Sequence, residues 1–123
     1  MSEGVMLEES ESEVVEERRA YGRIEVECPI RVEAPVRTEG HTLELSEGGA
    51  RVELEDDVSR ATRVSIQLEL PDRTTPIGTI ADIRWHEKVG SREDPRWICG
   101  LQFTELDGDE EAAIEELIEK LRD

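Results

Sequence analysis

Aromatic residues are scarce: two Trp, one Tyr and one Phe make up 3% of the 123 residues. A core of this composition has to be built from Val, Ile and Leu, and β-branched aliphatics in short runs favour strands over helices. Lysine occurs only at Lys88 and Lys120, so positive charge is carried mainly by arginine, the better side chain for forked contacts to phosphate and guanine edges. No apolar run approaches the roughly 20 residues needed to cross a bilayer as a helix, so no membrane insertion is expected. The first seventeen residues hold seven glutamates and no basic residue, which does not fit a secretory signal peptide. A cytoplasmic location with reduced thiols is therefore expected. Cys28 and Cys99 each fall on the apolar face of a predicted strand, where a free cysteine acts as a small hydrophobe. With His41 and His86 they give C-x12-H and H-x12-C spacing. That pattern lacks the close ligand pair of a zinc site, and no metal or cofactor is expected. There is no P-loop, no dinucleotide fingerprint and no evident nucleophile–base arrangement, so an enzyme is not expected.

Acid is abundant. Asp and Glu total 32 against 15 Lys and Arg, a formal net charge of -17. Such a body repels nucleic-acid phosphates at long range, which argues against general nucleic-acid binding while leaving room for a local basic cluster that holds a small anion. The length suits one domain. A chain of this size can bury roughly two thirds of its unfolded surface in a single core. Residues 1–16 read as an acidic flexible N-terminal arm. The composition then turns to Arg18, Arg19 and Arg23, and residues 17–123 read as the folded domain.

Period-two patterning dominates that domain. Ile24, Val26, Cys28, Ile30 and Val32 alternate with polar residues, the signature of a half-buried strand. Pro29 on its outward face suggests an edge or a bulge. Gly40 marks a turn; Leu43 and Leu45 lead a second strand; Gly48-Gly49 is a tight connection into a third with Ala50, Val52 and Leu54. Residues 55–60 form a loop. Val64, Ile66, Leu68 and Leu70 mark a fourth strand. Residues 76–86 form a fifth with Ile83 and Trp85 on one face, residues 87–95 a charged hairpin loop, and Trp97, Cys99, Leu101 and Phe103 share a face of the last. Ile114, Leu117, Ile118 and Leu121 fall at i, i+3, i+4, i+7, an amphipathic helix that Asp107 or Asp109 can cap. The fold class is mainly β: a six-stranded antiparallel barrel with a C-terminal α-helix against its mouth or wall. Both tryptophans are expected in core or rim packing.

Three separated segments resemble the PilZ domain family. Arg18-Arg19-Ala20-Tyr21-Gly22-Arg23 is similar to its RRxxxR element, Glu44-Leu45-Ser46-Glu47-Gly48-Gly49 to its [DN]xSxxG element, and Gly100-Leu101-Gln102-Phe103 to its GxxF segment. Position 44 carries Glu where the family usually has Asp or Asn. The resemblance implies a PilZ-type barrel that acts as a receptor for cyclic di-GMP through Arg18, Arg19, Arg23, Glu44, Ser46, Gly48 and Gly49. Guanidinium groups fork onto phosphates or onto guanine O6 and N7 and stack on bases. Ser46 brings a hydroxyl, the carboxylate at 44 can accept from the guanine N1–H and N2 edge, and Gly48 and Gly49 allow close backbone approach and positive φ. Ligand is expected to order the arginine arm and present a surface to a downstream protein partner. The alternative is a PilZ-like interaction module, acting in motility or surface assembly, that does not bind nucleotide.

Overall fold

The computed structural model describes residues 22–122. The expected arm over 1–16, together with Arg18, Arg19 and Tyr21, lies outside the described residues. The strands are β1 (Arg23–Ile24), β2 (Pro29–Ala34), β3 (Thr38–Ser46), β4 (Gly49–Leu54), β5 (Arg63–Leu68), β6 (Ile77–Gly90) and β7 (Pro95–Phe103), followed by helix α1 (Gly108–Arg122). Every pairing is antiparallel, in the order β3–β2–β5–β6–β7–β4, and β4 returns to β3. This closes a six-stranded barrel, as the patterning implied. The two-residue β1 is an addition: it pairs with the last two residues of β3, on the same side of that strand as β2.

The first alternating run keeps its faces but is interrupted as a strand. Residues 25–28 leave the ladder between β1 and β2. Pro29 neither sits on an edge nor in a bulge; it opens β2, where its missing N–H costs no ladder bond. The gap at 25–28 is stitched by Thr42, which is fully buried on β3. Its hydroxyl accepts from the Cys28 N–H at 2.9 Å and donates to the Val26 carbonyl. Leu43, expected to lead this strand with Leu45, is the extra residue of a bulge: Thr42 opposes Val52 and Glu44 opposes Arg51. Gly40 is no turn either. It lies inside β3, where a Cβ would stand 1.8 Å from the Glu53 carbonyl oxygen.

A second bulge redirects a tryptophan. Ile83 opposes Leu101 while Trp85 opposes Gly100, leaving Arg84 unpaired. One extra residue turns every following side chain to the other face. Trp85 therefore parts from Ile83 and stands on the outer surface, 44% exposed. The expected core or rim placement is wrong for this residue. The expected loop over 87–95 is mostly strand too. β6 and β7 stay paired out to Gly90 and Pro95. Charged side chains tolerate this because the ribbon is exposed on β6.

The core is aliphatic and unites barrel and helix. Val32, Leu45, Val52, Leu54, Ile66 and Leu68 are buried with Ile114, Leu117 and Ile118 of α1 in one cluster. Leu121, the fourth member of the predicted stripe, is half exposed at the helix end. Asp107 caps α1: its carboxylate accepts from the Glu110 N–H at 2.8 Å, and Glu110 accepts in return from the Asp107 N–H at 3.1 Å. This is a reciprocal capping box. Cys28 and Cys99 are buried free thiols, as expected. Burial raises both, with the charge of Asp57 adding to the rise at Cys99, which is pushed up to about 11.

Replacing Thr42→Val leaves the Cys28 N–H and the Val26 carbonyl without their partner and should destabilise the fold by about 1–3 kcal/mol. A lowered urea midpoint checks this, and an unchanged one contradicts it. The thiols also predict alkaline behaviour. The unfolded chain releases the Cys99 proton near its ordinary value of 9.0 while the folded chain holds it to about 11. The native state then binds more protons, and stability should fall as pH rises through that window. The fall should be shallower in Cys99→Ala.

Candidate functional site

The outer face of the barrel carries a row of side chains that follows directly from strand register. Glu44 on β3 opposes Arg51 on β4. Arg51 opposes Gly100 on β7, and Gly100 opposes Trp85 on β6. Neighbouring strands lie about 4.8 Å apart, so carboxylate, guanidinium, bare backbone and indole line up across four strands. Gly100 is what admits the indole: a Cβ there would lie 2.2 Å from Trp85 Nε1. The next row brings Arg23 on β1 opposite Ser46 on β3, and Gly49 opposite Gln102.

These rows floor an open depression of about 770 Å³, whose lining includes Arg23, Glu44, Ser46, Gly48, Gly49, Arg51, Arg84 and Trp85. Among the expected site residues, Arg23, Glu44, Ser46, Gly48 and Gly49 are thus brought together. Arg18 and Arg19 lie outside the described residues. Arg51, Arg84 and Trp85 were not anticipated. Trp85 was hidden because a bulge leaves no signature in an alternating pattern. Arg51 was legible in principle as an outward residue of the strand that follows Gly49.

The electrostatics of the depression oppose those of the whole chain. Three guanidiniums, on Arg23, Arg51 and Arg84, face a single carboxylate, Glu44, on a protein of net charge -17. Glu44 is shared: its carboxylate lies 3.3 Å from Arg51 Nη2 and 3.9 Å from Arg23 Nη1. Among the described residues Arg84 makes no ion pair, and the buried Nε of Arg51 has no acceptor.

The glycines and Ser46 work differently from the expectation. Among the described residues only Gly90 has positive φ, so Gly48 and Gly49 do not use left-handed backbone. Gly49 is required by packing, since a Cβ would lie 2.1 Å from the Leu101 carbonyl oxygen on β7. At Gly48 a Cβ meets nothing within 4 Å, so no packing contact explains this glycine, and the backbone is left bare toward the depression. The Ser46 hydroxyl closes the turn between β3 and β4: it accepts from the Gly49 N–H at 3.1 Å and donates to the Gly49 carbonyl at 3.2 Å.

No helix of the described residues is long and apolar enough to cross a membrane. Among known proteins, no curated sequence matches the chain. Solved structures do resemble it. The inhibitor of motility MotI/DgrA of Bacillus subtilis superposes with a TM-score of 0.65 at 19% identity, over 82% of this chain and 49% of that one. The PilZ domain of YcgR from Escherichia coli, solved with c-di-GMP, gives 0.62 at 15% identity, over 81% and 88%. MrkH of K. pneumonia gives 0.67 at 14% identity, over 80% and 46%. The chain thus spans about half the length of the first and third of these proteins and most of the second. These likenesses establish the fold. The PilZ domain profile matches residues 17–120, which takes in the arginine element, the serine–glycine turn and the barrel between them, and the chain belongs to the PilZ domain family.

Proposed function

We propose that this chain is a cyclic di-GMP receptor that couples the second messenger to a partner protein. The carrying observation is the depression that holds Arg23, Arg51 and Arg84 against one carboxylate, with an exposed indole beside them. Its formal surplus of two positive charges matches the two phosphates of a cyclic dinucleotide. Guanidiniums supply forked donors to phosphate and to guanine O6 and N7. Trp85 offers a stacking face for a purine. Gly48 leaves bare backbone where the ligand approaches. PilZ domains are binding or regulatory modules rather than enzymes.

Binding would act through the arginine element. Arg23 reaches the site from β1, and Arg18 and Arg19 precede it by five and four residues. Ligand that engages all three would draw the segment ahead of β1 onto the barrel and create a surface for a partner. A role in motility is supported by the fold likeness to the inhibitor of motility of B. subtilis. The competing reading is an interaction module without nucleotide. It draws on Glu44, whose carboxylate pairs with both Arg23 and Arg51.

Isothermal titration separates the two readings. Cyclic di-GMP should bind with measurable heat, and silence at tens of micromolar ligand removes the receptor reading. Arg19→Ala, Arg23→Ala and Trp85→Ala should each weaken binding by roughly tenfold or more. Arg60→Ala, in the loop after β4, should leave it unchanged. The two glycines of the turn should divide. Gly49→Ala collides with the Leu101 carbonyl and should cost about 3 kcal/mol of stability. Gly48→Ala should change stability by less than about 0.5 kcal/mol and yet weaken ligand binding.

A further inference from the structure

Arg51 belongs to none of the three segments that resemble the family elements, yet the fold places it at the centre of the depression. It stands between Glu44 on one side and bare Gly100 on the other, and Trp85 lies beyond Gly100 in the same row. Two strand spacings separate the backbones of Arg51 and Trp85, about 10 Å. No side chain rises from Gly100 in that interval, and the pyrrole side of the indole lies over its backbone. A purine stacked on Trp85 over this floor turns one edge toward Arg51.

The contacts of Arg51 point the same way. Its Nη2 is tied to Glu44 at 3.3 Å, while its Nε is buried and finds no acceptor. A desolvated donor of a charged group without a partner is unfavourable. A ligand edge with two adjacent acceptors relieves this when the guanidinium turns to meet it. Guanine offers such an edge in O6 and N7. Adenine places an N6 amino donor where guanine has O6, and a guanidinium carries donors only. Arg51 can therefore accept guanine and reject adenine. Arg23, 56% exposed at its side chain, and Arg84, free of ion pairs among the described residues, are left to face phosphates.

We infer that Arg51 is the residue that makes the site specific for guanine, with Glu44 as its positioning partner; this rests on the cyclic di-GMP reading above. The experiment is a pair of titrations, with cyclic di-GMP and with cyclic di-AMP, on the full chain and on Arg51→Ala, Arg51→Lys and Glu44→Gln, with circular dichroism to confirm folding. The full chain should prefer cyclic di-GMP. Arg51→Ala should lose roughly 10–100-fold in affinity for it with little change for cyclic di-AMP, so the preference collapses. Arg51→Lys keeps the charge but not the fork and should lose the preference as well, which guards against a merely electrostatic effect. Glu44→Gln should lower the preference less than either. Equal losses for both ligands, or a preference that survives Arg51→Ala, overturn the assignment and leave the receptor reading standing. Failure of the full chain to bind cyclic di-GMP removes both.

Discussion

Closure of the barrel depends on β4 lying close to two strands at once. It pairs with β3 on one side and β7 on the other, and glycines permit both approaches. Gly49 lets β4 meet the Leu101 carbonyl, and Gly40 lets β3 meet the Glu53 carbonyl. At either position a Cβ would occupy space that belongs to backbone oxygen. The same seam sets the register that carries Glu44, Arg51, Gly100 and Trp85 across the outer surface. Barrel closure and site construction are therefore one geometric event: a slip of one residue in β4 would bury Arg51 and expose Val52.

The electrostatic character of the protein follows from where its few cations are gathered. A net charge of -17 repels polyanions, and most acid is spread over the surface, α1 included. Against this background the depression concentrates three guanidiniums around one carboxylate. A small dianion can be captured locally while long nucleic acids are turned away by the rest of the molecule. Glu44 has a double part in this arrangement. It lowers the cost of holding Arg23 and Arg51 near each other, and it competes with any ligand for them. A carboxylate one methylene longer than the usual residue at this position is suited to reaching both.

Much of the architecture was legible because alternation in aliphatic residues reports burial directly. The inward sets of β2, β4 and β5 and the Ile114, Leu117 and Ile118 stripe follow from pattern alone. The misreadings have distinct causes. Thr42 was passed over because a buried hydroxyl looks like an ordinary polar residue until its two backbone partners are known. Trp85 was placed on the wrong face and Leu43 was read as an ordinary strand residue because bulges at 43 and 84 change phase without altering composition. Residues 87–90 looked like loop because a ribbon exposed to solvent needs no apolar face.

By itself the sequence determined the class of fold, the single aliphatic core and the acidic body, since these depend on composition and on periodicities local to each element, while the segments around the depression were picked out by their resemblance to family elements. Tertiary structure alone decided which side chains share that site. Arg51, Gly100 and Trp85 are far apart along the chain and become neighbours only through cross-strand register, a property of pairs of strands and of the bulges that offset them. The function of Gly100 shows the difference most plainly: along the chain it is one glycine among nine, and in the barrel it is the space that an indole fills.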